Sequence, residues 1–561
     1  MKKILLLVTS VVLIPLQTLS MQNFIHQACQ QIVTNPLATT AVIAAPLAIA
    51  PCLYFRNHAE EERWDWSTID TTQVTFPKNF LWGTADSAFQ TEGIETANGK
   101  TIQNTWTAWE EELLPEKYSL VSPKGVLKKL GIINTQKQPR TPEDQRAGYA
   151  CHRWTHYKED VQLLKNIGVK IHRYSIEWAK IEPQAGIYDR DALQHYIDFN
   201  QELINNGIIP CPNLFHHTLP LWYAAQGGFE KAENMQQFVD YALFIFKEFQ
   251  KAGQLEKTKI WFAFNEAIGF CLAGYVDGKI PPGKKFKFIQ AGIVAKNMLD
   301  AHISLYDAFE KIDPTIKLGF IHVMMPITAY NPTSPLQQLS SQSMNHLVND
   351  VALEYFKTGK FNWLNLVKDN NPNAINKIDF IGVNYYSHML LGYVGPKIRT
   401  NEVCADGYPG AKRTKPIYAE GLYQTLKHAA SYGFPLVITE IGFAAKLESE
   451  ELRTDYFKKH FYAMHKAMQE GVDLRGCFIW TAFDCFGWNS GQHSTHGIYH
   501  VNRETQERSL KDNAWYIVEM FNKPRSENEV ESLETIKKST ALGWTLEEIA
   551  IETHKGKNYE K

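Results

Sequence analysis

Short apolar and β-branched runs alternate with amphipathic stretches along most of the chain after residue 76. Runs of this kind, nearly continuous in apolar residues, are typical of strands that are buried on both faces of a parallel sheet. Eight of them are predicted to be strands: 80–86, 169–176, 208–215, 259–265, 317–324, 379–386, 435–440 and 475–481.

The stretches between these runs carry the apolar spacing of amphipathic helices. Three of them, at 156–168, 192–207 and 234–253, end in a glycine, which is a common end of a helix. Eight strand–helix units predict an α/β fold, a (β/α)8 TIM barrel with long loops and a single catalytic domain. The competing topology is an open doubly wound sheet, which is disfavoured because no glycine-rich phosphate loop follows the first strand.

The first 55 residues are set apart from this pattern. Residues 1–20 have two lysines, an apolar stretch and then small and polar residues, which is typical of a secretory signal peptide. Residues 36–55 form a second apolar segment that is about long enough to cross a bilayer. We therefore predict export or membrane association through 1–55; the alternative is an apolar extension on a cytoplasmic enzyme. A linker at 56–75, the barrel domain at 76–523 and a charged extension at 524–561 complete the predicted organisation.

Composition narrows the function. The formal charge is −2 with no basic block, which argues against a nucleic acid partner. Eight scattered cysteines contain no C-x-x-C pair, so we predict buried thiols rather than a zinc site or a disulfide framework. His152, His156 and His172 are interpreted as structural hydrogen-bonding residues, and no metal is predicted. The 14 tryptophans and 25 tyrosines suit either core packing or a cleft for sugar rings.

Polar and aromatic side chains follow the predicted strands, at the end of a barrel where active sites lie. An unpaired carboxylate would be costly directly after a buried strand, and two glutamates stand in this position, one after the fourth strand and one after the seventh. The residues at the strand ends are Gln90, Arg173, His216, His217, Asn265, Glu266, Asn384, Tyr385, Tyr386, Glu440 and Trp480.

Two carboxyl groups in one pocket fit the cleavage of a glycosidic bond. One protonates the leaving oxygen, and the other, in a retaining enzyme about 5–5.5 Å away, attacks the anomeric carbon. Arg173 and Tyr386 would keep Glu440 ionised, whereas Glu266 lies between apolar neighbours and is the predicted acid. Asn265 is predicted to bind a sugar hydroxyl beside the reacting carbon. The reaction requires no cofactor.

The ordered motifs of residues 76–523 resemble family-one glycoside hydrolases, the retaining β-glucosidases and β-galactosidase-like enzymes. The resemblance implies a small-molecule or oligosaccharide β-glycoside as the substrate. It implies sugar ligands at Gln90 and His216, an acid/base at Glu266, a nucleophile at Glu440 with Arg173 and Tyr386 beside it, and stacking residues at Trp480 and Trp488. The motifs are FPKNFLWGTADSAFQTEG, HRYSIEWAKIEP, NLFHHTLPLW, FNEAIGF, GYVDGKIPPG, IGVNYYS, VITEIGFA and FIWTAFDCFGW.

The chain departs from the family pattern at three positions. The proline that usually follows the acid/base is Ala267, which we expect to loosen the local backbone, and the asparagine that usually follows the nucleophile is Ile441. Gly487 replaces a glutamate that grips the far hydroxyls of the sugar, so we expect weaker selectivity at the fourth and sixth carbons or a substituent there. Hydrogen bonds to charged groups contribute about 1.5–3 kcal/mol each.

Three alternatives stay open at this point. The long insertion at 111–144 together with the apolar N-terminus resembles membrane-anchored members of the family, which suggests a transglycosidase acting on glycolipid or sugar acceptors. A second alternative is a catalytically impaired sugar-binding barrel. A third is the phospho-sugar branch, although the segment 486–502 has no lysine for a phosphate.

Overall fold

The protein was analysed as a computed structural model, which describes residues 61–96, 99, 101–115, 137–393, 395–399, 416–444, 450–488, 490–492 and 495–523. The predictions for 1–55 and 524–561, and most of the 111–144 insertion, lie outside these ranges.

The core of the fold is a closed barrel of eight parallel strands. All eight predicted strands are present and all belong to the barrel, so the predicted (β/α)8 fold is confirmed. In chain order the strands are β1 (Leu81–Ala85), β2 (Ile171–Ser175), β3 (Ile209–Asn213), β4 (Ile260–Asn265), β5 (Lys317–Val323), β6 (Ile381–Tyr385), β7 (Leu436–Ile441) and β8 (Leu474–Trp480).

Each strand is followed by a helix that returns the chain to the start of the next strand or, after β8, ends the barrel domain. The three glycine-terminated stretches are helical as predicted, and Gly168, Gly207 and Gly253 have the positive φ that favours glycine there. The main helices are α1 (Arg153–Asn166), α2 (Arg190–Asn205), α3 (Met235–Lys251), α4 (Phe288–Ile312), α5 (Val351–Thr358), α6 (Ala419–Ala430), α7 (Glu450–Gln469) and α8 (Trp515–Asn522).

Shorter elements decorate the loops. Short α-helices span Ala88–Glu92, Thr105–Glu111, Trp178–Ile181, Leu221–Ala225, Ala267–Cys271 and Pro335–Asn345, and π-helical turns span Leu272–Asp277 and His346–Asp350. Antiparallel pairs join Leu113–Pro115 to Lys137–Pro139, Lys360–Trp363 to Val367–Asn370, and Tyr499–Val501 to Arg508–Leu510. A three-stranded sheet contains Ile327–Ala329, Met389–Gly392 and Gly395–Lys397.

Apolar side chains form two cores, one inside the barrel and a larger one between the strands and the helices. Alternation along each strand decides what faces the interior. Ile171 fills the lower interior and Arg173, two residues later on the same face, lies nearer the catalytic end; Phe478 and Trp480 are related in the same way. The interior is tightly filled, since a Cβ on Gly319 would lie 2.3 Å from the Phe380 ring.

The described part of the predicted linker packs against the barrel. Trp64 and Trp66 contact Tyr423 of α6 and Tyr462 of α7, with ring centroids 5.4 and 5.9 Å apart. Glu420 of α6 accepts hydrogen bonds from the Trp64 backbone N–H and the Trp66 indole N–H, both at 3.0 Å. We refer to residues 61–75 below as the N-terminal strap.

Three further observations concern the described ranges alone. The five described cysteines are buried thiols, as predicted: Cys151, Cys211, Cys271, Cys477 and Cys485. Within these ranges, no helix is both long and apolar enough to cross a membrane. His172 lies between Thr84 and Asp86, in the structural hydrogen-bonding role predicted for it.

Candidate active site

Glu440, at the end of β7, is held by a hydrogen bond on each of its two carboxylate oxygens. Its Oε1 accepts from the Arg173 Nη2 at 2.5 Å, and its Oε2 accepts from the Tyr386 hydroxyl at 2.6 Å. Arg173 is fully buried and Glu440 is 4% exposed. Burial, followed by the negative charge of Glu440, raises the pKa of Tyr386 well above its usual value, so the phenol stays protonated and donates.

Glu266 follows β4 and belongs to the same contact network. Its Oε1 accepts from the Asn384 Nδ2 at 2.7 Å, and Thr439 donates to the Asn384 Oδ1 at 2.8 Å. Glu266 has a left-handed backbone, with φ at 49°, and its N–H donates to the Ile321 carbonyl of β5 at 3.2 Å. A non-glycine residue in this conformation costs about 1–3 kcal/mol and is a recurrent feature of functional sites.

Asn265 connects the hydrogen-bond partners of Glu440 to those of Glu266. Its Oδ1 accepts from the Arg173 Nη1 at 2.9 Å and lies 3.4 Å from the Asn384 Nδ2. The path from Glu440 through Arg173, Asn265 and Asn384 therefore reaches Glu266 by side-chain hydrogen bonds alone. The side chains of Glu266 and Glu440 thus belong to one polar network, in which Glu440 is buried and Glu266 is partly buried.

Irregular strand pairing at the catalytic end places these side chains. The register between β6 and β7 shifts after Val383, which sets Asn384 opposite Glu440. The register between β4 and β5 shifts between Phe262 and Asn265. Extra residues in a strand turn a side chain away from regular alternation, and such irregularities are frequent beside active sites.

Three predicted sugar-binding residues form an aromatic group next to this network. The His216 ring lies 5.7 Å from the Trp480 ring and 6.2 Å from the Trp488 ring, and its Nδ1 is 3.1 Å from the Ser175 hydroxyl. Burial first, and with it the charge of Arg173, lower the pKa of His216 well below its usual value. A neutral imidazole between two indoles suits the polar edge and apolar face of a sugar ring.

Gln90 contacts the loop that carries Gly487. Gln90 is in the short helix after β1, and its Nε2 donates to the Phe486 carbonyl at 2.7 Å while its Oε1 accepts from Ser87 at 2.8 Å. Gln90 therefore supports the loop that carries Gly487 and Trp488. The Trp488 ring is itself supported by Trp106, at a centroid distance of 4.4 Å.

Ala267 and Ile441, the other two departures from the family pattern, lie in different environments. Ala267 is the first residue of the short helix after Glu266, and the Glu266 carbonyl still accepts from the Phe270 N–H at 2.8 Å. The local backbone is thus hydrogen-bonded on both sides of Glu266 without a proline. Ile441 is the last residue of β7 and is fully buried in the apolar core.

Two polar contacts in this network were not predicted from the sequence. Asn384 binds Glu266, and His217 lies 3.2 Å from the Asn265 Nδ2 through its Nε2. Both residues lie at or just after the ends of predicted strands, so the strand-end rule locates them. Which of the strand-end residues touches which carboxylate depends on register shifts that leave no mark in the sequence.

A closed (β/α)8 barrel with two glutamates in one polar network at its catalytic end is the arrangement expected of a retaining glycoside hydrolase. The family described as glycosyl hydrolase family 1 matches residues 72–525 of the chain. This match spans most of the chain, so the protein belongs to glycosyl hydrolase family 1 and is a retaining β-glycosidase.

Named relatives and solved structures agree with this membership. Beta-glucosidase A of Thermotoga maritima is 28% identical over 469 residues, covering 79% of this chain and 96% of the relative. A 6-phospho-beta-galactosidase of Staphylococcus haemolyticus is 26% identical over 495 residues, covering 79% of this chain and 98% of the relative. The structure of the Thermotoga maritima beta-glucosidase in complex with glucoimidazole has a TM-score of 0.67 and 26% identity, covering 81% of this chain and all of that one.

Proposed function

We propose that the protein hydrolyses β-linked glucosides, galactosides or related β-glycosides by double displacement, with Glu440 as the nucleophile and Glu266 as the acid/base. The observation that carries the assignment is the pair of contacts that Glu440 makes. A guanidinium lies on one of its oxygens and a phenol on the other, and both stabilise an ionised carboxylate. The Oε1 of Glu266 accepts from the Asn384 amide.

The proposed reaction has two steps. In the first, a Glu440 oxygen attacks the anomeric carbon, the bond from that carbon to the leaving oxygen breaks, and Glu266 donates its proton to that oxygen. In the second, the Glu266 carboxylate takes a proton from water, the water oxygen attacks the same carbon, and the bond to Glu440 breaks. Two inversions at one carbon retain its configuration.

Each neighbouring residue has a defined task in this proposal. Arg173 and Tyr386 hold the Glu440 carboxylate in line with the anomeric carbon, and a second task of Arg173 is to orient Asn265. Asn265 binds the hydroxyl adjacent to that carbon, Gln90 and His216 bind hydroxyls further round the ring, and Trp480 and Trp488 pack on its faces. Preorganised donors of this kind contribute most when they match the charge of the transition state.

The two roles are tested by labelling and by rescue with azide. A 2-fluoro β-glucoside carrying an activated leaving group should attach to Glu440, as identified by peptide mass spectrometry. Glu440→Ala with azide should give the α-glycosyl azide, and Glu266→Ala with azide should give the β-glycosyl azide. Attachment at any other residue, or the opposite pair of azide products, would refute the assignment.

We propose further that the glycone is an unphosphorylated sugar. Named relatives include both β-glucosidases and 6-phospho-β-galactosidases, so the relatives alone leave both glycones open. The segment 486–502 has no lysine to pair with a phosphate. Gly487 supplies no side chain for the far hydroxyls, from which we expect weak discrimination between glucosides and galactosides.

A panel of nitrophenyl β-glycosides with and without a 6-phosphate tests the glycone. Wild type should hydrolyse the plain glucoside and galactoside with kcat/KM values within about tenfold of each other. Gly487→Glu should change that ratio, because a charged acceptor on the far hydroxyls is worth about 1.5–3 kcal/mol. A strong preference for the phosphorylated sugars, or an unchanged ratio in Gly487→Glu, would refute the proposal.

Transfer of the sugar to a lipid or sugar acceptor and a catalytically impaired barrel are both less favoured. The named relatives are glycosidases, and the described site retains both glutamates together with their partners. Localisation through residues 1–55 stays a proposal from the sequence; a fusion of that segment to a reporter enzyme, followed by fractionation, tests it.

A further inference from the structure

His217 lies in the loop after β3, directly beside the residues that contact the two glutamates. Its ring lies 5.9 Å from the Phe270 ring and 5.8 Å from the Trp488 ring, and the residue is 9% exposed. Its single polar contact among the described residues joins its Nε2 to the Asn265 Nδ2 at 3.2 Å.

The partners of Asn265 determine the protonation of this ring. Arg173 has only donors, so the atom of Asn265 that faces it at 2.9 Å must be the oxygen. The amide nitrogen of Asn265 consequently faces His217 and donates. The Nε2 of His217 must therefore be the acceptor, which makes the imidazole neutral with its proton on Nδ1.

The electrostatic surroundings maintain this state. Burial, and then the charge of Arg173, lower the pKa of His217 to about 4. A ring with this pKa carries no charge near neutral pH, so the acceptor on Nε2 persists.

The Nδ1 atom of His217 adds a free-energy cost to this arrangement. This atom is buried and has no hydrogen-bond partner among the described residues. A buried donor without a protein partner is unfavourable. An apolar ring at this position would avoid the cost, but it would leave the Asn265 amide without an acceptor.

We propose that His217 is a positioning residue that holds the Asn265 amide, so that the second Nδ2 hydrogen points to the sugar hydroxyl adjacent to the anomeric carbon. The Oδ1 of Asn265 is engaged by Arg173, and one Nδ2 hydrogen is engaged by His217. One hydrogen remains for the substrate. The substrates that benefit are β-glycosides with a free hydroxyl at the second carbon. This inference rests on the proposed role of Asn265 and adds to it the residue that orients it.

The test compares an aryl β-glucoside with its 2-deoxy analogue on two nearly isosteric variants. His217→Gln can place an acceptor where Nε2 lies, whereas His217→Met fills similar space without a strong acceptor. Both meet the same left-handed backbone, with φ at 68°, so the strain is matched. We expect His217→Met to lower kcat/KM on the glucoside roughly tenfold to hundredfold, mainly through kcat, since a bond made in the transition state is lost.

The 2-deoxy substrate separates positioning from general damage. His217→Met should change kcat/KM on the 2-deoxy glucoside by less than about threefold, because the hydroxyl that Asn265 would bind is absent. His217→Gln should recover most of the rate on the glucoside. Equal losses on both substrates, no loss on either, or no recovery in His217→Gln would overturn the proposal.

Failure of the proposed hydrolase function would give a different result from failure of the role of His217 alone. In that case wild type would not hydrolyse the glucoside, or Glu440→Gln would retain the activity. A wild-type activity that depends on Glu440, combined with an unselective loss in His217→Met, would refute the role of His217 alone. Thermal unfolding of each variant establishes that the compared proteins are folded.

Discussion

At the scale of single residues, the geometry of the site depends on groups that have only one possible hydrogen-bonding role. Arg173 can only donate, and it therefore fixes both the Glu440 carboxylate and the Asn265 amide. Thr439 adds a contact to the Asn384 Oδ1, but its hydroxyl can donate or accept and does not by itself fix that amide. The polarity of the Asn265 amide follows from the Arg173 contact, and so does the direction in which it can bind substrate.

The Tyr386 hydroxyl is the most informative single atom to remove. Tyr386→Phe keeps the ring but deletes the 2.6 Å hydrogen bond to the Glu440 Oε2. Hydrogen bonds to charged groups contribute about 1.5–3 kcal/mol, so kcat/KM should fall roughly tenfold to more than a hundredfold. Steady-state kinetics on an aryl β-glucoside measure the effect.

A matched control for Tyr386→Phe is Tyr432→Phe, which removes a hydroxyl that donates to Asp350 at 3.0 Å on the outside of the barrel. This control should leave kcat/KM within about twofold of wild type, as expected for a change away from the site. Equal rates for Tyr386→Phe and wild type would show that the phenol does not assist Glu440.

At the scale of elements, a buried ion-pair network joins the short helix after β1 to α1 and to the helix at Trp178–Ile181. Arg153 of α1 pairs with Asp86 and with Glu92, and Lys180 also pairs with Glu92, at 2.8 Å. All four side chains are at most 3% exposed. The network holds the segment that carries Gln90 onto the barrel.

Removing one cation from this network should be strongly destabilising. Arg153→Met leaves two buried carboxylates short of a partner, and breaking a buried pair in this way costs about 3–5 kcal/mol. Urea denaturation measures the free energy of unfolding. The matched control is Arg190→Met, which removes an exposed pair with Glu248 and should cost less than about 1 kcal/mol. Similar values for the two variants would contradict the assigned role of burial.

A second prediction at the scale of elements concerns the N-terminal strap. Glu61 lies 3.7 Å from His388 at the catalytic end, and Thr75 contacts His465 near the end of α7, so the strap runs between α6 and α7 over much of the barrel height. Trp66→Ala removes its indole contacts with Glu420 and Tyr462 and should destabilise by about 1–3 kcal/mol, since the ring is half-buried.

Loss of the strap should also be local. Limited proteolysis of Trp66→Ala should cut within 61–75 before it cuts the barrel, because local opening costs less than global unfolding. Trp515→Ala, at an exposed tryptophan of α8, should leave both the cleavage pattern and the stability close to wild type. Unchanged cleavage in Trp66→Ala would show that other contacts hold the strap.

The strands of this fold could be predicted from the sequence, but the contacts between distant elements could not. Apolar periodicity locates all eight strands because burial on both faces of a barrel strand imposes a local pattern. The pairing of Arg153 with Asp86 joins positions 67 apart, and that of Asn384 with Glu266 joins positions 118 apart. Such pairs arise from barrel closure and register, which no local pattern encodes. The packing of the strap was missed for the same reason, since its partners lie some 350 residues away.

At the scale of the whole molecule, buried carboxyl groups set the dependence of stability on pH. Burial alone would raise the pKa of Asp86, but the charges of Arg153 and His172 outweigh it, so the pKa is lowered from 3.8 to about 2. Burial dominates at Glu110 instead and raises its pKa to about 7. These two groups act in separate ranges of pH. Glu110 lowers the stability as the pH rises from about 4.5 to about 7, because the folded protein then binds more protons than the unfolded chain.

The prediction for stability in the acid range concerns Asp86. Its folded pKa lies below its unfolded value, so its contribution is fully present above about pH 4 and is lost as the pH falls towards about 2. The shift corresponds to about 2 kcal/mol. In urea titrations at a series of pH values, Asp86→Asn should be less stable than wild type at pH 7, but it should lose less of its remaining stability between pH 4 and pH 2. Asp277→Asn, at a surface residue that is 52% exposed, should follow the wild-type curve. If Asp86→Asn instead kept the full acid-dependent loss, the charge on Asp86 would not be what ties folding to pH in that range, and the coupling would have to come from the other buried carboxylates.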